Sequence, residues 1–324
     1  MIGAWRVDAA AADPALSAAF AEDRRFLWGL CYRLTGCAAD ADDLVQETFV
    51  RAIERPPARR DQPWRPWLVR VALNLGRDLL RRRRRRRYVG PWLPSPIETG
   101  DETSPPSVEA AIAGAQTTEG RYDLLESVSY AFLLALEALT PLQRATLLLR
   151  DVFDYTVAEC ADALGLSEAN VRTTHHRARR AMAAYDRARV VPGRALQERT
   201  RDALERFLGA LTSGDLPAVE ALLAESVQAR TDGGGEFFAA RVPLAGRARV
   251  ARFFRNLVHR SRYAVRSEVR MLNGLPALVS ELTDVPPRQA PRFISRVEID
   301  GAGRIVAVHS VLATRKLTAV GPIG

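Results

Sequence analysis

LTPLQRATLLLRDVFDYTVAECADALGLSEANVRTTHHRARRAM, residues 139–182, is the stretch that decides the fold of the chain around it. Two residue pairs in it have the spacing of a capping box, in which a hydroxyl and a long polar side chain cap the first amides of a helix: Thr140 with Gln143, and Thr156 with Glu159. Gly165 suits the left-handed residue that ends a helix, and Ser167 suits the N-cap of the next one. The stretch therefore predicts three helices. The last two are joined by a short turn that contains glycine, which is the pattern of a helix-turn-helix.

The third predicted helix carries side chains that donate hydrogen bonds to base edges and phosphates in a major groove. We expect base-edge contacts from Arg172, Thr173 and His176, and phosphate contacts from Arg177 and Arg180. The same pattern also fits a cationic surface helix in an ordinary helical bundle. DNA binding is favoured because the capping, the turn length and the charge agree.

Composition limits the classes of protein that need to be considered. The chain has 324 residues, enough for two or three domains, and its formal net charge of +9 favours a polyanionic partner. Lys316 is the single lysine, so the placement of the arginines is better evidence than their total. The three cysteines (Cys31, Cys37 and Cys160) are too few and wrongly spaced for a disulfide framework or a zinc site. We expect no metal site and no cofactor.

The beginning of the chain and its apolar runs bear on location. Residues 1–13 contain one arginine and no sustained apolar core, unlike a signal peptide. No apolar run approaches the ~18 residues that a membrane span needs. We therefore expect a cytoplasmic protein with no membrane partner.

The first third of the chain predicts three helices, over residues 14–34, 38–55 and 67–87. The second begins with acids, where the helix dipole favours them, and turns Asp43, Gln46 and Glu47 outward. That acidic face fits either a solvated surface or a docking surface for a basic partner. A polar loop, residues 58–66, precedes the third helix, which ends in the arginine run 81–87. Aromatic and cationic side chains in one place suit single-stranded or melted DNA.

Two segments resemble a known family. RLTGCAADADDLVQETFVRAIER (33–55) and RPWLVRVALNLGRDLLRRRRRR (65–86) resemble region 2 of the extracytoplasmic-function sigma factors, and residues 139–182 resemble their region 4. The resemblance implies a bacterial transcription initiation factor whose partners are promoter DNA and core RNA polymerase, the latter through its β′ clamp helices and β flap. It implies all-α domains at 1–87 and 121–190, with a linker at 88–120.

The resemblance also assigns roles to particular residues. Contact with the polymerase clamp is implied for Asp43, Gln46 and Glu47. Capture of the −10 element is implied for Asp61, Gln62, Trp64, Arg70, Asn74, Arg81 and Arg82. Reading of the −35 element is implied for Arg172, Thr173, His176, Arg177 and Arg180. In the loop, Asp61, Gln62 and Trp64 could hold a flipped base, whereas Trp67 falls in the apolar stripe of its helix and is expected in the core.

The linker opens with YVGPWLPSP, whose apolar residues Tyr88, Trp92 and Leu93 predict that it docks on something. A similar stretch occurs in sigma factors that bear a C-terminal SnoaL-like domain. A helix over residues 122–139 is expected to begin region 4.

Residues 195–320 predict helices followed by strands, which is an α+β order. The strands are expected at 227–230, 236–244, 263–272, 277–285, 292–300 and 304–317, as an antiparallel sheet interrupted by one helix. This part resembles the SnoaL-like members of the NTF2-like fold, which wrap a sheet around a pocket that could take an unknown small ligand. In related sigma factors a regulatory loop reads Asp-Gly-Gly-Gly-Lys. Here it is Asp232, Gly233, Gly234, Gly235 and Glu236, which puts in doubt any salt bridge carried over from the family.

Three functional interpretations follow. The first is a promoter-specificity subunit of RNA polymerase whose C-terminal domain regulates it in cis. The second is a helix-turn-helix regulator that binds DNA without polymerase, which leaves the acidic face unexplained. The third is a SnoaL-type enzyme with a DNA-binding tether. Its candidate residues Asp284, His309 and Arg241 have no spacing that assembles a catalytic site, so we expect no enzyme.

Overall fold

A computed structural model describes residues 14–85, 88–99, 122, 126–260 and 265–324. The described residues fall into two compact units. The first unit contains the described residues up to 85 and those from 122 to 189. The second contains residues 88–99 and the described residues from 190 onward. No helix in these ranges is long and apolar enough to span a bilayer.

Three helices open the first unit: α1 (Pro14–Thr35), α2 (Ala38–Glu54) and α3 (Arg65–Arg85). Gly36 has a φ of 67°, the left-handed conformation that ends α1 and that glycine adopts without strain. The third helix begins two residues earlier than predicted, because the carbonyl of Trp64 already accepts the amide of Leu68. Ile53, in the last turn of α2, is 42% exposed.

The single helix expected over 122–139 is wrong for its described part; residues 123–125 lie outside the description. A 3₁₀ turn (Glu126–Val128) is followed by α4 (Tyr130–Ala135) and a second 3₁₀ turn (Leu136–Ala138). Ser129 causes the break. Its backbone is extended and its hydroxyl accepts the amide of Phe132, so it starts a new helix where a continuous one was expected.

The helix-turn-helix is confirmed. It consists of α5 (Pro141–Asp151), α6 (Val157–Leu164) and α7 (Glu168–Arg187). Both capping boxes are formed in full, and Ser167 accepts the amide of Asn170. Gly165 has a φ of 64° and ends α6 as a left-handed cap. These helices were predicted correctly because each capping signal acts between residues no more than four apart in the sequence.

The second unit begins with α8 (Arg194–Thr212) and α9 (Leu216–Leu222). Its other helix, α10 (Arg247–Arg260), lies between the second and third strands in the sequence. The strands are β1 (Leu223–Asp232), β2 (Leu244–Ala245), β3 (Val265–Leu272), β4 (Leu275–Leu282), β5 (Arg292–Ile299) and β6 (Ile305–Val311). They form a sheet in the order β2-β1-β6-β5-β4-β3.

Two expectations about this sheet are corrected. The sheet is mixed, because β1 and β6 run parallel, while the other neighbours are antiparallel. The strand expected over residues 236–244 is absent from the described structure except for Leu244, which pairs with Ala229. The glycine turn before this segment, and Pro243 with no amide to donate, leave it without a strand partner.

One side of the sheet packs against the three helices. Its core includes Phe207 of α8 and Phe254 of α10, with Val297 opposite Val308 on β5 and β6. Because side chains alternate along a strand, Asp232 of β1 projects from the other side of the sheet, away from Ala229. That other side carries the linker site described below.

Candidate functional sites

The recognition helix α7 presents its predicted DNA contacts to solvent. Its buried side is formed by Val171, Ala178 and Met182. The exposed residues include all five predicted contacts: Arg172, Thr173, His176, Arg177 and Arg180. Arg172 forms an ion pair of 2.7 Å with Glu168 one turn earlier, which holds the guanidinium along the helix.

His175 does not face solvent like these residues but packs against α5. Its Nε2 lies 2.9 Å from an oxygen of Asp151, the last residue of α5, and the side chain is mostly buried. Asp151 thereby ties the end of α5 to the recognition helix. This contact fixes the rotation of α7 about its axis, and so determines which residues face outward.

The acidic face of α2 is also formed. Asp43, Gln46 and Glu47 are exposed, whereas Leu44 and Phe49 on the opposite side are buried. The neighbouring Asp42 accepts a hydrogen bond of 2.8 Å from the indole of Trp28. Burial raises the pKa of the Asp42 carboxyl, and this hydrogen bond opposes the rise. Glu47 forms an ion pair of 3.0 Å with Arg51 one turn later, and both side chains are about half exposed.

The predicted −10 residues are only partly where the sequence put them. Asp61 and Gln62 are exposed in the loop before α3, and Arg70 and Asn74 are exposed on α3 itself. Trp64 is 5% exposed, so its indole is not open to a base in this structure.

The reason lies in the start of α3. Trp64 immediately precedes the helix, and its indole packs inward with a weak hydrogen bond of 3.4 Å to the carbonyl of Arg60. Trp67, expected in the core, is instead half-buried.

Arg70 and Asn74 line one wall of a cleft of about 270 Å³. The opposite wall comes from α6 and the turn after it: Ala161, Asp162, Leu164, Gly165 and Leu166. Of the predicted −10 residues, Arg70 and Asn74 therefore face the helix-turn-helix in this structure.

The arginine run at the end of α3 is divided between two tasks. Arg81 and Arg82 are exposed and contact Asp78 of their own helix, Arg81 through an ion pair of 2.8 Å. Arg83 instead reaches the 3₁₀ turn before α5, where both oxygens of Glu137 accept from its guanidinium at 2.7 and 2.8 Å. Arg84 donates to the carbonyl of Leu139. The run thus leaves Arg81 and Arg82 exposed to solvent and joins α3 to the helices from residue 126 onward.

Glu137 is the centre of that joint. It also accepts a hydrogen bond of 2.7 Å from Arg144, which is 2% exposed and donates further to the carbonyls of Leu34 and Leu136. Burial raises the pKa of the Glu137 carboxyl, but Arg144 and Arg83 outweigh it and the pKa lies below its ordinary value. Glu137 therefore stays ionised, and the joint depends on that charge.

A second site, the linker site, is centred on Asp232 at the end of β1. Asp232 is fully buried and accepts from the hydroxyl of Tyr88 at 2.6 Å, the amide of Leu93 at 2.7 Å and the amide of Gly234 at 3.0 Å. The ammonium of Lys316 lies 2.5 Å from Oδ2 of Asp232, the oxygen that also accepts from Leu93, while Tyr88 and Gly234 donate to Oδ1. Two of the four donors come from the linker, so one carboxylate holds that segment to the sheet.

The only lysine of the chain completes this site. Lys316 also donates to the carbonyl of Leu93, and its ammonium lies 4.2 Å from the ring centre of Trp92 and 4.8 Å from that of Tyr88. A cation between two aromatic faces gains about 1–2 kcal/mol when it is shielded from water. Tyr88, Trp92 and Leu93 thus dock as expected, on the second unit.

Further along, the linker continues as a strand-like segment. The amide of Ile97 donates to the side chain of Asn273, and Glu98 forms a bridge with Leu272 and an ion pair of 2.9 Å with Arg270. Leu93 and Ile97 are both fully buried. These contacts give the segment a fixed register on the sheet.

The glycine loop is shaped for this site. Gly234 has a φ of +61°, and a Cβ there would lie 2.9 Å from the Cβ of Ala313, so only glycine fits. Glu236 accepts from the amide and hydroxyl of Thr314. The buried salt bridge comes from Asp232 and Lys316, so Glu236 does not replace it.

Two partners in these sites were missed by sequence reasoning: Lys316 for Asp232, and Glu137 for the arginines. A signal for the first existed. A single lysine in a chain otherwise built with arginine indicates a position where a compact ammonium is needed.

The fold and sites define the class of protein: a promoter-recognition factor with two DNA-binding helical groups and an appended sheet domain. Comparison with known families gives "Sigma-70 region 2" at residues 19–86 and "Sigma-70, region 4" at residues 129–182. The ECF RNA polymerase sigma factor SigJ of Mycobacterium tuberculosis is 36% identical over 302 residues, 91% of each chain. This chain belongs to the extracytoplasmic-function sigma factor family.

Two further comparisons distinguish the parts of the chain. SigL of M. tuberculosis is 34% identical over 177 residues, which is 90% of that protein but 54% of this one. The crystal structure of M. tuberculosis SigJ matches 94% of this chain and 98% of its own with a TM-score of 0.65 and 29% identity. The chain is thus an alternative sigma factor that binds core RNA polymerase and promoter DNA, with a C-terminal SnoaL-like domain. Its family comprises transcription factors, not enzymes.

Proposed function

We propose that this sigma factor is controlled in cis: the C-terminal domain holds residues 88–99 and so limits how far region 2 and region 4 can separate on a promoter. The observation that carries the proposal is the buried carboxylate of Asp232, which accepts from Tyr88, Leu93 and Lys316. The linker connects the two DNA-binding regions in the sequence, so its anchoring bears on both.

Distance makes the separation necessary. The −10 and −35 elements lie about 25 base pairs apart, roughly 85 Å at ~3.4 Å per base pair. Arg70 and Asn74, proposed for −10 capture, share one cleft with Gly165 in the turn that leads into the proposed −35 helix. Residues on opposite walls of a cleft cannot contact both elements at once, so the packed form must open.

Two sets of contacts oppose opening. Within the first unit, Glu137 joins Arg83 of region 2 to Arg144 of region 4. Within the second unit, Asp232 immobilises the start of the linker. Release of residues 88–99 adds 12 residues of free chain, or about 40 Å of reach at ~3.3 Å per residue. That length is a substantial part of the span between the two promoter elements.

We propose that the anchored linker inhibits transcription. Weakening the linker site should release residues 88–99, let region 2 and region 4 separate further, and so raise transcription. The test is run-off transcription with purified core polymerase and a randomised promoter library, using the full chain, Tyr88→Phe and Lys316→Met. Higher output from both variants supports control by the anchored linker. Equal or lower output, with unchanged polymerase binding, contradicts it.

The polymerase-binding face is proposed at Asp43, Gln46 and Glu47 on α2, with region 4 contacting the β flap. The support is the exposure of these side chains beside a buried apolar side of the helix. The double variant Asp43→Arg with Glu47→Arg should lose co-elution with core polymerase. The matched control, Glu22→Arg with Glu205→Arg, makes the same change in charge at exposed positions elsewhere and should bind normally.

The DNA contacts are proposed from exposure as well. For the −35 element the residues are Arg172, Thr173, His176, Arg177 and Arg180. For the −10 element they are Asp61, Gln62, Arg70, Asn74, Arg81 and Arg82. A small ligand in the C-terminal domain stays a prediction; the helix-facing side of its sheet carries hydroxyl pairs, such as Ser295 with Ser310 at 2.8 Å, that could bind polar groups.

A further inference from the structure

We infer that the C-terminal domain carries a DNA-binding surface of its own, formed by the outward side of α10. Arg249, Arg252 and Arg255 would contact successive phosphates of double-stranded DNA without reading its sequence. This surface goes beyond control through the linker and does not depend on it. It rests only on the chain being a sigma factor that works on promoter DNA.

The distribution of charge first points to this domain. Residues 190–324 contain 20 Lys and Arg against 13 Asp and Glu, a formal net charge of +7. Residues 1–189, which include both sigma regions, contain 27 against 25, a net charge of +2. Most of the excess positive charge of the chain therefore lies outside the parts that already explain DNA binding.

Within the C-terminal domain the charge is concentrated. Residues 237–267 contain eight arginines and no aspartate or glutamate. The helix α10 lies in the middle of this stretch and carries five of the eight. A basic surface uninterrupted by acids for 31 residues is the electrostatic footprint of a polyanion-binding protein.

The packing of α10 orders these arginines along one side. Val250, Ala251 and Phe254 are buried in the core, so the helix cannot turn its apolar side to another partner. Arg249 and Arg252 are exposed on the opposite side, and Arg255 flanks them half-buried. Asn256 and His259, also exposed, extend the same row toward the end of the helix.

These arginines are not neutralised by neighbours. Among the residues that the structure describes, Arg249, Arg252 and Arg255 form no ion pair. Arg252 donates to the carbonyl of Ala248, and Arg255 to the side chain of Asn256. The undescribed residues 261–264 contain no acid. An ordinary solvated helix face looks different, as α8 shows.

On α8 two exposed arginines are paired one turn away: Arg194 with Glu198 at 3.0 Å, and Arg206 with Asp202 at 3.5 Å. A third, Arg199, donates to the carbonyls of Asp300 and Gly301. Among the described side chains of α10, Arg247 forms an ion pair of 3.3 Å with Glu225, which fixes the start of the helix below the row. The contrast within one domain indicates that the charge of α10 is left available.

The geometry suits phosphates. Arg255 lies six residues after Arg249, about 9 Å along the helix at ~1.5 Å per residue, and the planar guanidinium pairs with phosphate in a bidentate way. A row of this length spans two or three phosphates of one strand. A helix that inserts into a membrane surface uses a continuous apolar side, and Val250, Ala251 and Phe254 of α10 lie in the core. Leu257 and Val258 near the end of the helix are exposed, so binding to anionic vesicles is tested directly.

The test measures salt dependence with the full chain. Binding of a 30-base-pair duplex without promoter elements is followed by fluorescence anisotropy at several salt concentrations between 50 and 200 mM. The variant is Arg249→Gln with Arg252→Gln and Arg255→Gln. The matched control is Arg194→Gln with Arg206→Gln and Arg304→Gln, which removes three ion-paired arginines of the same domain.

Three phosphate contacts contribute about −2.7 to the slope of log Kobs against log salt, or roughly a 40-fold loss of affinity over this range. The α10 variant should lose this contribution, and the control should keep it. Unchanged thermal unfolding and core polymerase binding exclude misfolding. Equal slopes in wild type and variant would overturn the inference, as would a control that loses as much.

The same variants are then tested on vesicles containing phosphatidylserine. Vesicle binding that the α10 substitutions abolish, with DNA binding intact, would assign the surface to a membrane and also overturn the inference. The inference is supported if the α10 variant loses DNA binding and the wild-type protein does not bind the vesicles.

Discussion

Removing one hydroxyl from the linker site is the sharpest test of how that site works. Tyr88→Phe keeps the aromatic ring that packs 4.8 Å from the ammonium of Lys316 but removes the hydrogen bond of 2.6 Å to Asp232. A hydrogen bond to a charged group contributes about 1.5–3 kcal/mol, and the half-buried position of Tyr88 favours the lower end. A loss of ~1.4 kcal/mol corresponds to a tenfold larger population of released linker.

Hydrogen exchange measures that population directly. The amide of Leu93 donates to Asp232, and the amides of Ile97 and Thr99 donate to Asn273 and Met271. A peptide covering residues 88–99 should therefore exchange about tenfold faster in Tyr88→Phe. Peptides from β5 and β6 should not change, since they report the sheet itself.

Tyr185→Phe is the matched control. Its hydroxyl donates to the buried carboxylate of Glu126 at 2.8 Å, the same kind of bond in the first unit. This variant should leave exchange of residues 88–99 as in wild type. If Tyr88→Phe also leaves it within twofold of wild type, the hydroxyl does not hold the linker and the reasoning about Asp232 fails.

Three other perturbations test other parts of the structure. Glu137→Gln should destabilise the first unit by about 2 kcal/mol, since it leaves the buried guanidinium of Arg144 without its carboxylate, and peptides covering 126–139 should exchange faster. Burial lowers the pKa of His309 from its ordinary value of 6.5 to about 4, although Glu298 opposes the shift. The unfolded chain takes up that proton first, so stability should fall as pH drops from about 6.5 toward 4, by about 2 kcal/mol at pH 5. Urea melts at pH 7.5 and pH 5 measure this fall, and His309→Gln should flatten it. Arg172→Ala should weaken binding to a selected promoter by about 1–3 kcal/mol and relax specificity at one position, whereas Arg180→Ala should weaken all sequences alike and lower the salt slope by about 1. A uniform effect from Arg172→Ala would contradict its role at a base edge.

Local signals were readable from the sequence, and long-range pairing was not. The capping boxes and Gly165 placed three helices correctly, since each cap acts between residues three or four apart. The break at Ser129 was missed because the apolar periodicity continues across it, and only the local cap shows that the helix restarts. The parallel pairing of β1 with β6 joins segments about 80 residues apart, and no local pattern encodes it.

The sites show the same division. Exposure of Asp43, Gln46 and Glu47 follows from helical periodicity within α2, so it was predictable. Trp64 was expected to be open and is buried, whereas Trp67 was expected in the core and is half-buried. The helix α3 begins two residues earlier than predicted, and apolar periodicity does not define a helix start that closely. The partner of Asp232, Lys316, lies 84 residues away in the sequence. The apolar segment of the linker therefore predicted that it docks, but the sequence did not predict which residues bind it.

The chemistry of the two sets of contacts suits them to a switch. Both Glu137 and Asp232 hold their partners mainly through charged hydrogen bonds, which weaken steeply once water enters, whereas an apolar interface of the same size would open only gradually. Moving a two-state equilibrium from 1:99 to 99:1 takes about 5.5 kcal/mol of differential binding. A Kd of ~1 nM corresponds to about 12 kcal/mol, so a partner bound that tightly would need only part of its binding free energy to open the packed form. A sigma factor closed by a few buried ion pairs can therefore remain closed when free and open when it binds core polymerase.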